Sequence, residues 1–155
     1  MLRNILLLIS ALFLTLQSGV AISDSSFDLK SHEGKVVVVD FWASWCVPCR
    51  RSFPWLNAMH QKYADEGLVI IGVNLDAERS EAMKFLEEFP AEFSIFYDES
   101  KDLAREFGVV AMPSSFVIGR DGQIRKKHFG FKVKKQDEYE SAIVDALADA
   151  LRITE

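Results

Sequence analysis

The run Lys35–Trp42 (KVVVVDFW) constrains this chain more than any other stretch. Its four consecutive valines show no polar alternation, which suits a strand covered on both faces, as in a parallel sheet flanked by helices. A second run of this kind, Leu68–Asn74 (LVIIGVN), follows one helical stretch later. Two buried strands joined through a helix make a parallel pair with a right-handed crossover. The stretch between them, from Cys46 to about Ala64, repeats Phe53, Leu56, Met59 and Tyr63 at helical spacing and stops at Gly67. One residue breaks the first run. Asp40 places a carboxyl where burial penalises its charge, so its pKa is expected to rise.

Beyond this unit, Glu78–Phe89 reads as a helix with Met83, Phe85, Leu86 and Phe89 on its buried side and Pro90 as a stop. Ser94–Tyr97 is a short strand, and Lys101–Phe107 a short helix closed by Gly108. The pattern then changes. Ser115–Ile118 and Ile124–Phe129 flank Gly119-Arg120-Asp121-Gly122, a turn signal for an antiparallel hairpin. Asp137–Leu151 carries Tyr139, Ile143, Leu147 and Leu151 in steps of four, a last amphipathic helix. This order predicts an α/β fold: a mixed central sheet, helices on both faces, and a C-terminal antiparallel hairpin plus helix.

With 155 residues the chain has room for one such domain and a short leader. Met1–Ala21 reads as that leader. Arg3 precedes an apolar run from Ile5 to Leu16, and Gly19 and Ala21 supply the small residues of an export cleavage site. The apolar run is shorter than the ~20 residues that span a bilayer, so a cleaved signal peptide is favoured over an uncleaved anchor. Residues 22–155 then form the domain, working in a periplasmic or otherwise extracytoplasmic compartment where disulfides persist. The net charge of −5 argues against nucleic acid as a partner. Two cysteines cannot build a four-thiolate metal site. His32, His60 and His128 lack ligand spacing to one another and read as solvated side chains, so no metal and no cofactor are expected.

The chemistry concentrates in Trp45-Cys46-Val47-Pro48-Cys49-Arg50, which follows the first buried strand and opens a helix. A thiol at a helix N-terminus meets unpaired N–H groups and the positive end of the dipole, which favour its thiolate. Cys46 is therefore the expected nucleophile. Cys49, one turn inward and shielded, is suited to resolving a mixed disulfide. A plain staple is the weaker reading, because so small a loop constrains the unfolded chain little. Pro48 lacks only a donor that the first turn does not need, whereas Pro54, inside the helix, should kink it. Trp45 is expected to flank the site, with Val47 and Pro48 beside it. Asp40, beneath the dithiol, would take the proton of Cys49 when that thiol attacks.

The segment Val39–Cys49 (VDFWASWCVPC) resembles the active-site segment of the thioredoxin superfamily, and the resemblance extends from about Phe27 to Ile153. It implies a thioredoxin-like fold with Cys46 attacking, Cys49 resolving and Asp40 as the buried acid. It also implies that Met112-Pro113 is a cis-proline loop facing the dithiol and holding substrate. Gly34–Val39 and Arg50–Leu56 are most similar to the exported TlpA/ResA-like thiol–disulfide oxidoreductases. The segment Asn74–Phe107 matches the helix and strand which that group adds. Two departures are expected: a shortened N-terminal hairpin, and an Asp40 closer to thioredoxin itself than to many exported relatives.

The function expected is reduction of protein disulfides by an exported dithiol enzyme. Its partners would be protein disulfide or dithiol clients and, by resemblance, a membrane thiol relay as electron donor. Val47-Pro48 lacks the histidine that strongly oxidising relatives carry. Alternatives are a dithiol oxidant or isomerase, and a redox-regulated binding module. No heptad or long apolar edge calls for self-association, so a monomer is expected.

Overall fold

The computed structural model describes residues 27–149; the leader reading of Met1–Ala21 and the last two residues of the helix expected over Asp137–Leu151 lie outside them. Five strands form one sheet in the order β3-β2-β1-β4-β5. At its centre lies β1 (Val36–Trp42), buried at every position as the valine run predicts. It pairs in parallel with β2 (Leu68–Asn74), which pairs in parallel with β3 (Ser94–Tyr97). On its other side β1 pairs antiparallel with β4 (Ser114–Ile118), and β4 with β5 (Ile124–Phe129). The sheet is mixed, as expected.

Strand alternation divides the core in two. Val36, Val38 and Trp42 meet Phe53, Leu56 and Met59 of α1 (Val47–Tyr63) and Ile143, Ala146 and Leu147 of α4 (Gln136–Asp149). Val37, Val39 and Phe41 face the other way, toward Phe116 and toward Leu103 and Ala104 of the short α3 (Asp102–Glu106). Asp40 belongs by parity to the first face, between the sheet and the helix that carries the cysteines. Pro54 lies inside α1, as read, and on its exposed side.

The helix α2 (Arg79–Glu88) lies where its pattern predicts and turns Phe85, Leu86 and Phe89 toward the core as expected. Ala82 and Phe85 are buried, and Phe85 packs its ring 4.8 Å from Trp42 and 4.9 Å from Phe53. Met83 is 55% exposed, a correction to its expected place on the buried side. A small residue can pass against the aromatic cluster where a long thioether cannot, so Ala82 and not Met83 sets the phase. Outer strand β5 exposes Arg125, Lys126 and Lys127, charges that discourage edge-to-edge pairing.

Candidate active site

The chain leaves the buried end of β1 at Trp42 and turns through Ala43-Ser44-Trp45 into α1. One carboxylate holds this turn. Asp76, buried beyond the end of β2, accepts from the Ser44 N–H at 2.9 Å, from the Ser44 hydroxyl at 2.9 Å and from the Asn74 amide at 2.7 Å. The Asp76 N–H in turn donates to Asn74 Oδ1. Sequence reasoning missed Asp76, because an acid after a strand looks like ordinary loop polarity.

Cys46 is the N-cap of α1, and its sulfur accepts from the Cys49 N–H at 3.2 Å. Cys46 and Cys49 are joined as a disulfide across Cα atoms 5.3 Å apart, with 4% and 0% of their surfaces exposed. The inward placement of Cys49 and the helix-start placement of Cys46 are those the spacing predicts. Val47 and Pro48 occupy the first turn, where the donor that Pro48 lacks would have no partner within the helix. Around the dithiol, Trp45 is 66% exposed and Val47 56%. Met112 packs against the cluster that contains both cysteines, and the Met112–Pro113 peptide is cis. Ser114, next along, pairs with Phe41, which brings this loop to the same end of the sheet as the dithiol.

Asp40 is fully buried, and burial pushes its carboxyl up to about 7, against a smaller lowering by the Ser115 hydroxyl. That hydroxyl donates to Oδ1, while Oδ2 has no partner among the described residues. Asp40 lines a cavity between the sheet, α1 and α4 together with Ser52, Ser115, His128 and Tyr139. Ser52 lies one turn beyond Cys49 and donates to its carbonyl at 3.0 Å, so the cavity reaches the helix just below the dithiol. His128, expected to be solvated, is 9% exposed: a correction, since β5 turns this one residue inward. Among the described residues no three His, Cys, Asp or Glu side chains gather as metal ligands do. No helix among them is long and apolar enough to cross a membrane.

Comparison with known proteins gives the arrangement a context. Residues 15–143 match the Redoxin family. The chain is 31% identical over 113 residues to the thiol-disulfide oxidoreductase ResA of Bacillus thuringiensis subsp. konkukian (strain 97-27), covering 72% of this chain and 65% of that one. The ResA of Geobacillus thermodenitrificans (strain NG80-2) is 29% identical over 150 residues, covering 84% and 86%. A Chlorobium tepidum protein provisionally named thiol:disulfide interchange protein DsbE has a crystal structure that superposes with a TM-score of 0.75. It is 46% identical and covers 77% of this chain and 84% of that one. The chain thus spans 65% of the length of the Bacillus thuringiensis relative, just under two thirds.

Proposed function

The chain belongs to the Redoxin family, within the thioredoxin superfamily and similar to ResA, and from that premise we propose that it is a thiol–disulfide oxidoreductase that reduces protein disulfides. The observation that carries this reading is the Cys46–Cys49 pair at the start of α1, a helix that lines one cavity together with a buried acid of raised pKa.

The cycle follows from placement. Cys46, as thiolate, attacks a client disulfide; one client sulfur leaves as thiolate and the other stays bonded to Cys46. Cys49 then gives its proton to Asp40 and attacks the Cys46 sulfur. The second client sulfur leaves with the bonding pair, and the enzyme departs as the Cys46–Cys49 disulfide. Two electrons pass from the dithiol to the client. Exposed Trp45 and Val47, with Pro48, Met112 and Pro113 at the same end of the sheet, receive the client chain. No cofactor enters this scheme. The Val47-Pro48 dipeptide, without a histidine, favours the reducing direction over the oxidant reading. A membrane thiol relay would return electrons to the oxidised enzyme. Residues 1–21 would direct export of the domain 22–155, which works as a monomer in the periplasm or an equivalent compartment.

The test is reduction of insulin disulfides with dithiothreitol as the electron source. The protein should accelerate precipitation of the insulin B chain well beyond dithiothreitol alone, and Cys46→Ser should abolish the acceleration. No acceleration by the wild-type protein would sink the reading. Intact client binding by Cys46→Ser, with no turnover in the wild type, would favour the binding module.

A further inference from the structure

Asp40, Ser115 and His128 stand side by side across three strands: Asp40 pairs with Ser115 in the β1–β4 register, and Ser115 with His128 in the β4–β5 register. All three line the cavity beneath the dithiol, whose volume of about 10 Å³ is room for roughly one water. Two buried polar atoms of that row, Asp40 Oδ2 and His128 Nε2, have no partner among the described residues. A buried polar atom without a partner is costly. One water between the carboxyl oxygen and the imidazole nitrogen would satisfy both. Ser115 holds Oδ1 by donating to it, which leaves Oδ2 as the oxygen that gains and loses the proton.

We propose that His128 is the proton exit of the buried acid: a neutral imidazole that accepts, through one water, the proton Asp40 has taken from Cys49, and passes it to solvent. The path balances. The proton leaves Cys49 for Asp40 Oδ2; Oδ2 gives it to the water, which gives one to His128 Nε2. The imidazolium then releases a proton from Nδ1, at the 9% of the residue that still meets solvent. No electrons move along it. This role needs the tautomer with its hydrogen on Nδ1, restored by proton exchange with solvent after each passage, and a ring that does not keep the charge. The surroundings favour that. Burial holds the His128 pKa below its ordinary value; Lys126 on β5 and Lys135 add to the lowering, and Glu138 of α4 opposes it. The other faces are the Tyr139 ring, 4.8 Å away, and Asp40, Ser115, Ser52 and Trp55 across the cavity. His128 is thus a positioning residue, since it reaches the sulfurs only through Asp40.

The inference rests on the proposed dithiol chemistry, but its test needs no client. In the oxidised protein, the ¹³C-carboxyl signal of Asp40 is followed by NMR from pH 5 to pH 9. Wild type should give one averaged line moving with pH, because acid and carboxylate exchange quickly. His128→Phe fills the cavity, and His128→Gln keeps it polar but cannot carry the proton. Each should slow exchange roughly a hundredfold, the low end of what a positioned proton carrier contributes, and broaden or split the line. In His128→Ala, added imidazole should restore the averaged line, which a packing role would not do. Slow exchange in the wild type, or unchanged averaging in the folded variants, would overturn the proposal. An inactive protein with these NMR results intact would count against the proposed function alone.

Discussion

Cys49→Ser is expected to turn the protein from a catalyst into a trap. Cys46 keeps its place as N-cap of α1 and still meets the client disulfide, but no thiol remains one turn inward to release it. The mixed disulfide between Cys46 and the client should accumulate in near-stoichiometric amounts. It would be visible as a shifted band without reductant that collapses on adding dithiothreitol. Turnover of insulin should fall to the uncatalysed rate. Serine is close to cysteine in size, so folding should survive: losing a disulfide that closes so short a loop removes little constraint from the unfolded chain. The reciprocal variant, Cys46→Ser, should trap nothing, because the buried Cys49 has no exposed surface with which to reach a client. Equal trapping by both variants would contradict the assignment of attacking and resolving sulfurs.

Asp40→Asn is expected to act in opposite directions on stability and on catalysis. The folded-state pKa of Asp40 is raised from 3.8 to about 7. Between those values the folded chain holds a proton that the unfolded chain releases, so this group's contribution to stability falls as pH rises through that window. Below it there is no penalty; above about pH 7 the penalty is complete, on the order of 4 kcal/mol. Removing the charge should therefore raise the midpoint of urea unfolding at pH 8 and leave it almost unchanged near pH 3.5. Catalysis should suffer where stability gains. Attack by Cys49 would lose its proton acceptor and slow by about a hundredfold. The wild-type rise of that step with pH through about 7 should flatten. Greater stability at pH 3.5 than at pH 8 from the same substitution, or an unaltered pH profile, would contradict the role given to the acid.

The strands were legible because their residues face core on both sides. The valines of β1 and LVIIGVN of β2 admit few other placements, and their parallel pairing follows from the helix between. Cys46, Cys49 and Asp40 were legible for the opposite reason: each breaks a pattern, two thiols at a helix start and one acid in an apolar strand. The misses come from residues whose neighbours carry no pattern. Met83 was placed inward because it is apolar, while the phase of α2 is set by small Ala82 and by Phe85. His128 sits in IRKKHF, where four successive residues are exposed, so nothing in the local sequence marks it as facing inward. Its burial comes from α4 and Tyr139, contributed from later in the chain. Asp76 likewise acquires its role only when the fold brings the Ser44 turn to it from 32 residues away.

Electrons are expected to pass from the Cys46–Cys49 pair to client disulfides. The reduction potential of the pair tests this most directly. The pair can be equilibrated in dithiothreitol or glutathione buffers and its state read from Trp42 and Trp45 fluorescence. The expected value is near that of thioredoxin, about −270 mV. A value near −120 mV, the range of a strong dithiol oxidant, would mean that electrons flow the other way and that the protein makes disulfides instead of breaking them.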